Sequence, residues 1–297
     1  MNIIDLHVHA GDFKFLRDDI QNLLTHKALE PGFSVSQIYS NADQMESYMR
    51  QQGVVRTIVI AECGPGTFFT NDSRSIANFA EKAQNNDFFI TFGNINPNYH
   101  RNPIQEFWIS ILLGVNGFKF YPADHAFDPF LPSMMDVYSL CEKFSLPIMF
   151  HTGLTAQKDT EQKFIHPFEF KQIAEAHPDL IIILAHCGKP LWYKEAFTMA
   201  SSFINVYLDT SLVEPKTLKE YITMFPKIEK KIFFGSDWPV TGSYTELLSK
   251  YKQAEISSDI ILDIFYSNAE KMLSEALQKQ QLAEVKSVAK NFLSNNT

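Results

Sequence analysis

The sequence lacks the features that mark several specialised classes of protein. Cysteine is scarce, with three residues among 297, and a small odd number does not support a disulfide framework. No apolar run approaches the ~20 residues that are needed to span a bilayer. The first residues contain neither the basic region nor the apolar stretch of a secretory signal. These absences predict a cytoplasmic protein with reduced thiols and no membrane partner.

An excess of positive charge is also absent. The chain has 26 basic residues against 34 acidic ones, a formal charge of −8, and no cluster of Lys and Arg stands out. Binding to a nucleic-acid backbone therefore has little electrostatic support. An anionic small molecule is still compatible with this charge, because a metal ion or a single lysine can reverse the local field. We expect a small-molecule substrate and no nucleic-acid partner.

The chain contains short apolar runs that alternate with helical patterns. The runs are mostly continuous rather than alternating, which is typical of parallel strands covered on both faces. The eight predicted strands are Asn2–Leu6, Val54–Ala61, Phe88–Ile95, Gly117–Phe120, Pro147–Phe150, Leu180–Ala185, Asn205–Leu208 and Lys231–Phe234. Eight strands separated by helices predict a (β/α)8 barrel, the TIM barrel. An open doubly wound sheet is the competing α/β layout, but its usual Gly-rich turn after the first strand is missing.

No Pro-, Gly- or Ser-rich linker divides the chain, so we expect a single domain over residues 1–297. The loop at 10–39 is long for a connection between a strand and a helix and is a candidate cap over the site. Ser267 and Glu270 have the spacing of a capping box and predict the start of a helix. A C-terminal helix and tail are expected at 278–297.

Histidine and aspartate residues follow several of the predicted strands. Active sites of such barrels lie at the carboxyl ends of the strands, and these ends contain His7, His9, His151, His186 and Asp237. His7 and His9 are two residues apart on one strand, so their side chains point to the same face and can share one ion. Imidazole nitrogens together with a carboxylate suit Zn2+ or another first-row divalent ion. The pattern therefore predicts a metal site.

The ordered set of strand-end motifs resembles that of the amidohydrolase superfamily, in particular its amidohydrolase-2 branch. That branch includes the aminocarboxymuconate-semialdehyde decarboxylase-like enzymes and related metal-dependent hydrolases. The motifs are Ile4-Asp-Leu-His-Val-His9, His151-Thr-Gly, Ala185-His-Cys-Gly, Gly235-Ser-Asp-Trp-Pro239 and Asn268-Ala. The resemblance extends over nearly the whole chain and implies a TIM-barrel enzyme, without identifying its substrate.

The resemblance also implies roles for individual residues. It implies a metal ion held by His7, His9, His151 and Asp237, with His186 as a further ligand, a neighbouring residue or a catalytic base. Zn2+ is favoured, with Mn2+ and Fe2+ as alternatives. In related enzymes the aspartate of the eighth strand also takes a proton from the attacking water.

Lys119 leaves the number of metal ions open. Its surroundings, Gly117-Phe-Lys-Phe-Tyr-Pro-Ala123, are similar to the strand-four segment of dihydroorotases, in which a carboxylated lysine bridges two metals. Other members of the amidohydrolase-2 branch have a similar Gly-x-Lys that is not necessarily modified. We expect one ion and an unmodified Lys119 that faces the substrate; a two-metal site with a carboxylated lysine is the alternative.

Other polar and aromatic residues lie near the predicted strand ends, where ordinary structural roles explain them as well. Cys63 and Cys187 could be soft metal ligands, but the His/Asp set already fills a coordination shell. Glu62 follows the second predicted strand and could be an acidic residue of the site, but a single carboxylate there is weaker evidence than the His/Asp set. Further polar candidates in the loop after strand four are Asp124, His125 and Asp128. Aromatic candidates for the wall of a pocket are Phe68, Phe69, Phe127, Trp192, Tyr193 and Trp238.

The predicted reaction is hydrolysis of a C–N or C–O bond in a small cyclic or carboxylated molecule. Asp237 would accept the proton of the attacking water, His186 would stabilise charge or deliver a proton, and Lys119 would neutralise a substrate carboxylate or a developing oxyanion. Non-oxidative decarboxylation of an unsaturated or aromatic acid at the same site is the first alternative. A barrel that binds metal without catalysis is the second. A homo-oligomer is possible in every case.

Overall fold

A computed structural model describes residues 1–64, 67–85, 87–155, 162–279 and 282–295 of the protein. Its eight strands are β1 (Ile3–Val8), β2 (Val54–Ile60), β3 (Phe89–Gly93), β4 (Gly117–Phe120), β5 (Ile148–His151), β6 (Ile182–Ala185), β7 (Val206–Asp209) and β8 (Ile232–Phe233). They form one sheet in the order β1 to β8, and neighbouring strands are parallel. The predicted TIM barrel is confirmed.

The two ends of the sheet meet and nearly close the barrel. The backbone N–H of Leu6 donates to the carbonyl of Phe234 at 2.9 Å, and that of His9 donates to Trp238 at 2.8 Å. The backbone N–H of Asp237 donates in turn to the carbonyl of His7 at 2.9 Å. Closure therefore brings the first and last strand-end motifs side by side.

The strands are buried on both faces, which explains their continuous apolar sequences. In β5, for example, Ile148 and Phe150 pack outward against the surrounding helices, whereas Met149 packs inside the barrel. The same alternation holds in β4 and β7, where Lys119 and Asp209 occupy inward positions. Inward residues at the carboxyl ends of the strands are therefore the ones that can build a site.

Helices surround the barrel and begin at residues suited to helix N-termini. The side chains of Asn41, Asp72, Asn102 and Ser243 each accept a hydrogen bond from a backbone N–H in the first helical turn, which satisfies a donor that the helix leaves unpaired. The helices are α1 (Asp18–Thr25), α2 (Val35–Tyr39), α3 (Ala42–Gln51), α4 (Ser73–Glu81), α5 (Pro103–Leu112), α6 (Pro132–Lys143), α7 (Lys171–Ala176), α8 (Tyr193–Ser202), α9 (Pro215–Met224), α10 (Tyr244–Gln253), α11 (Ser258–Leu262), α12 (Asn268–Lys279) and α13 (Leu282–Asn295).

The predicted helix start at Ser267 is wrong. Ser267 ends a π-helical turn, Asp263–Ser267, that joins α11 to α12 without a break. Its hydroxyl donates back to the carbonyl of Leu262 at 3.4 Å instead of capping a new helix. Packing explains the difference, because Ile264 and Phe265 of this turn are buried in the core and keep the chain helical across the predicted boundary.

The segment at 10–39 packs beside the loop that follows β2. Asn71 of that loop donates to the carbonyl of Ala10 at 2.6 Å and to the hydroxyl of Tyr39 at 2.8 Å. At the other end of the chain, the described parts of the predicted C-terminal helix and tail fall in α12 and α13, and residues 280, 281, 296 and 297 lie outside the described residues. The single-domain organisation stays a prediction. None of the described helices is long and apolar enough to cross a membrane.

Candidate active site

His7, His9 and Asp237 meet where the barrel closes. Nε2 of His9 lies 3.1 Å from Oδ1 of Asp237, and Nε2 of His7 lies 3.4 Å from the same oxygen. All three side chains are buried. Ligand atoms about 2.0–2.1 Å from a tetrahedral zinc ion lie about 3.3 Å apart. The spacing of these three groups therefore fits one small divalent ion.

His151 and His186 extend the row of imidazoles that begins with His9 and His7, and both line the same cavity. The His151 and His186 ring centres are 4.7 Å apart, and the His186 and His7 ring centres are 4.8 Å apart. Nε2 of His151 is buried and has no hydrogen-bond partner among the described residues. A buried nitrogen of this kind normally has a partner, but His151 is not among the side chains spaced to share one ion with His7, His9 and Asp237.

Asp209 and Ser211, at the end of β7, orient two of the histidines. Oδ2 of Asp209 accepts a hydrogen bond from Nδ1 of His7 at 2.6 Å. The hydroxyl of Ser211 lies 2.7 Å from that oxygen, 3.1 Å from Nδ1 of His7 and 2.7 Å from Nδ1 of His186. Hydrogen bonds at Nδ1 leave Nε2 of each ring for the cavity. The sequence predicted no role for these two residues, although they occupy a strand end.

The electrostatic environment keeps the histidines neutral and Asp237 ionised. Burial lowers the pKa of His7, His9, His151 and His186 below the usual value, so each ring has a nitrogen lone pair at pH 7. Burial by itself raises the pKa of Asp237, but the nearby His7 and the hydrogen bond from His9 outweigh it and lower that pKa. Neutral imidazoles with an ionised carboxylate are the protonation states that metal binding requires.

The cavity in front of these groups is small and has mixed walls. It encloses about 560 Å3, counting the space that is open to solvent. Its described lining residues are His7, His9, Glu62, Phe68, Phe69, Tyr121, Asp124, His151, Leu154, Thr155, His186, Lys189, Leu212, Asp237 and Val240. The ring of Phe69 stacks on that of His9 at 3.7 Å between centres. A small molecule with an apolar body and polar ends suits such a cavity.

Lys119 lies on the inward face of β4 but outside the lining of this cavity. Its side chain is 0% exposed, and its amine has no hydrogen-bond partner among the described residues. The amine is 5.2 Å from the ring centre of Tyr121, which does line the cavity. Burial lowers the pKa of Lys119 to about 8, against the opposing effect of Asp209 and Asp237. Lys119 is therefore a buried cation close to the carboxylates of the site, outside the described lining of the cavity.

Of the weaker candidates, Glu62, Phe68, Phe69 and Asp124 line the cavity, and the others do not. Glu62 lines the cavity; its carboxylate oxygens accept the backbone N–H groups of Phe68 at 3.1 Å and Phe69 at 3.3 Å, and burial raises its pKa to about 8. The thiol of Cys187 donates to the carbonyl of Asp209 at 3.2 Å, so this cysteine has a structural role. The other candidates outside the described lining are Cys63, His125, Asp128, Phe127, Trp192, Tyr193 and Trp238.

Lys189, for which the sequence predicted no role, lines the cavity three residues after His186. The only signal in the sequence was a basic residue directly after a strand-end motif. Tyr121 was missed in the same way, because phenols at strand ends are common in cores. The hydroxyl of Tyr121 is buried without a partner among the described residues.

Comparison with known proteins assigns the family. A family model described as amidohydrolase matches residues 4–274. The chain belongs to the amidohydrolase family. Members of this family are metal-dependent enzymes, among them hydrolases and decarboxylases. The groups His7, His9, Asp237 and His7, His186, Asp209 each bring together side chains that could hold a metal ion.

Solved structures of low sequence identity have the same fold as this amidohydrolase. An uncharacterised TIM-barrel protein from Bordetella bronchiseptica is 19% identical, with 93% of this chain and 99% of that chain covered and a TM-score of 0.75. A 2,6-dihydroxybenzoate decarboxylase from Rhizobium is 17% identical, with 92% and 99% covered and a TM-score of 0.63. A probable 2-pyrone-4,6-dicarboxylic acid hydrolase from Acinetobacter baumannii is 12% identical, with 92% and 100% covered and a TM-score of 0.63. No curated protein matches the chain.

Proposed function

We propose that this amidohydrolase is a metal-dependent hydrolase that cleaves a C–N or C–O bond in a small cyclic or carboxylated molecule. The observation that carries the proposal is the convergence of His7 Nε2, His9 Nε2 and Asp237 Oδ1 within 3.1–3.4 Å at the bottom of the cavity. Buried histidines that face an ionised carboxylate serve no packing purpose that apolar residues would not serve better. The cavity in front of them is sized for a small molecule.

We assign one ion to the site, held by His7, His9, His151 and Asp237, with His186 beside it. The second group of possible ligands, around Asp209, has the Ser211 hydroxyl at hydrogen-bond distance from each member. That hydroxyl occupies the space where a second ion would sit. Zn2+ suits the mixed nitrogen and oxygen donors, and Mn2+ or Fe2+ are the alternatives. Lys119 stays unmodified under this assignment.

The residues of the site then divide the chemistry among them. When bound, the ion supplies a water of near-neutral pKa and polarises the substrate. Asp237 turns Oδ1 toward the histidines, which leaves Oδ2 to accept the proton of the attacking water and pass it to the leaving group. His186, fixed by Ser211 at Nδ1, holds or delivers a proton at Nε2. The charge of Lys119 stabilises negative charge that develops on the substrate.

Decarboxylation of an unsaturated or aromatic acid is the second candidate. Phe68 and Phe69 provide a flat apolar wall beside His9, and one of the structures with the same fold is a 2,6-dihydroxybenzoate decarboxylase. In this reaction, protonation of the substrate carbon would trigger the loss of CO2. Panels of lactones, amides and aromatic acids distinguish the two reactions, because hydrolysis yields a cleaved or ring-opened product and decarboxylation releases CO2. A cytoplasmic location, a small-molecule substrate and possible homo-oligomerisation stay predictions.

The test combines metal analysis with Asp237→Asn. We expect about one equivalent of transition metal in the purified protein and a loss of turnover of about 10^3-fold or more in the variant, because Asn keeps the shape but cannot accept the proton. Asp136→Asn, on the exposed side of α6, is the matched control and keeps full activity. Elemental analysis and turnover on the two substrate panels are the measurements.

Three outcomes would contradict the assignment. Well under half an equivalent of metal, with no rebinding after chelation, would favour a metal-independent lactonase of the same branch. An active, metal-loaded Asp237→Asn protein would remove the proposed base. Tight metal binding without turnover of any compound in either panel would favour a barrel that binds metal without catalysis.

A further inference from the structure

The first strand contains one extra residue where it reaches the His/Asp centre. Asp5 of β1 pairs with Thr57 of β2. The next recorded pair is Val8 with Val59, so three positions along β1, from 5 to 8, match two along β2, from 57 to 59. A β-bulge of this kind leaves the extra residue unpaired in the ladder and bends the strand. The bulge lies between Asp5 and Val8, the stretch that contains the first histidine.

The bulge turns both histidines of β1 into the barrel. Ile4 and Leu6 pack in the cluster inside the barrel, as alternate residues of a regular strand do. If that alternation continued unbroken, His7 and His9 would face outward, away from the site. Instead, Val8 packs outside among the helices, and both histidines line the cavity. One extra residue therefore reverses the alternation after Leu6.

The carboxylate of Asp5 supplies the hydrogen bonds that this backbone needs. Its Oδ1 accepts the backbone N–H of His7 at 3.0 Å and that of Ser236, the residue before Asp237, also at 3.0 Å. His7 and Ser236 are buried, and a buried N–H group normally has an acceptor. One carboxylate oxygen thus holds the backbone at His7 and next to Asp237, on both sides of the point where β1 and β8 close the barrel.

The other oxygen of Asp5 is held by a helix outside the barrel. Oδ2 accepts the hydroxyl of Tyr244, in α10, at 2.5 Å, and this hydroxyl lies 3.2 Å from Oγ of Ser236. All three side chains are buried, and none is among the described residues that line the cavity. Any effect of Asp5 on the site therefore passes through the backbone and not through contact with a ligand.

We propose that Asp5 is a positioning residue, which stabilises the bulge in β1 and thereby keeps His7 and His9 turned toward Asp237. The functional consequence rests on the proposed metal site, whereas the bulge is a property of the polypeptide alone. Without the carboxylate, the backbone N–H groups of His7 and Ser236 lose their shared acceptor. A strand that then regained the regular ladder would turn the histidines outward, because a shift of one residue moves every following side chain to the other face.

Variants of Asp5 and of a neighbouring residue test the proposal. Asp5→Ala removes the acceptor, whereas Asp5→Asn keeps a side-chain oxygen that can accept both N–H groups. Thr57→Val is the matched control, because it deletes a buried hydrogen bond from the Thr57 hydroxyl to the backbone carbonyl of Asp5, at 3.1 Å, and leaves the carboxylate in place.

Two measurements compare these variants with the wild-type protein. Competition with a chelator of known affinity should show that Asp5→Ala binds Zn2+ about 10–100-fold more weakly, while Asp5→Asn and Thr57→Val stay close to wild type. Hydrogen exchange of the metal-free protein, followed in the peptides that contain His7 and Ser236, should be about tenfold faster in Asp5→Ala than in Thr57→Val, because the two N–H groups have lost their acceptor.

The outcomes separate this inference from the proposed function. Unchanged Zn2+ affinity and exchange in Asp5→Ala overturn the positioning role, and so does an equal loss in Thr57→Val or no rescue in Asp5→Asn. If Asp5→Ala does not fold, Asp5→Ser replaces it, since its shorter side chain can keep the local bond to His7 but not both bonds; the same direction of change is expected. A wild-type protein that binds no metal rejects the proposed function, and the exchange measurement then decides the role of Asp5 by itself.

Discussion

At the scale of single residues, the site depends on which nitrogen of each histidine faces the cavity. His7 has one nitrogen toward Asp237 and the other 2.6 Å from Asp209. His186 has Nδ1 toward Ser211. A carboxylate behind a ligating histidine fixes the tautomer and raises the basicity of the nitrogen that faces the metal. Asp209 should therefore act on the metal without touching it.

Asp209→Asn tests this positioning role. The amide can still accept the hydrogen bond of His7, but its charge is gone, so we expect metal affinity to fall by about 10–100-fold in a folded barrel. Competition with a chelator of known affinity measures the change. Asp136→Asn is again the control for a lost carboxylate charge. Unchanged metal affinity in Asp209→Asn would show that the 2.6 Å contact is only structural.

At the scale of elements, the carboxylate of Glu30 connects the segment at 10–39 to α3 and to the start of α10 through hydrogen bonds. Glu30 accepts hydrogen bonds from the hydroxyl of Tyr48 at 2.6 Å, the hydroxyl of Ser243 at 2.7 Å and the backbone N–H of Thr245 at 2.9 Å. Ser243 caps α10, six residues after Asp237. Burial by itself raises the pKa of Glu30, but these hydrogen bonds lower it to about 2.

Glu30→Gln should remove a stabilisation that depends on pH. The carboxyl has a lower pKa in the folded chain than the ordinary 4.5, so its contribution is present above about pH 4.5 and is lost as pH falls toward 2. We expect the free energy of unfolding to drop by about 1 kcal/mol at pH 7, and the difference from wild type to shrink below about pH 4.5. Urea denaturation across this range is the measurement. The exposed Glu175→Gln is the control, and a difference that does not vary with pH would contradict the argument.

At the scale of the whole molecule, the site exists only when the barrel is closed. The ligands that we propose lie in or directly after β1, at the end of β5 and after β8, and Asp237 lies 230 positions after His7. The unfolded chain cannot hold these groups together. A metal that binds the folded state alone must therefore stabilise the whole barrel.

Thermal unfolding with and without metal tests this coupling. Zn2+ at about 1,000 times its dissociation constant should add about 4 kcal/mol of stability, which corresponds to a rise in Tm of about 5 °C or more. Chelation should reverse the rise, and Mg2+, which prefers oxygen ligands, should produce little of it. His9→Asn should lose most of the effect, whereas His26→Asn, at an exposed position, should keep it. An equal rise in His9→Asn would place the metal elsewhere.

The sequence alone determined the barrel and predicted most of the side chains that the candidate site brings together. Continuous apolar runs predicted all eight strands, because strands covered on both faces cannot alternate apolar with polar residues. The spacing of His7 and His9 predicted that both side chains would reach one place. These features were readable because each depends on a few neighbouring residues.

Only the tertiary structure decided how the site is completed. The roles of Asp209 and Ser211 depend on contacts with His7 across more than 200 residues of sequence, and no local pattern encodes which ring nitrogen they take. Burial of Lys119 and exposure of Lys189 to the cavity depend on what packs around each lysine. The helical turn before Ser267 likewise forms because its apolar residues reach the core. Contacts of this kind arise between segments that are far apart in the sequence, so the local periodicity of apolar residues does not predict them.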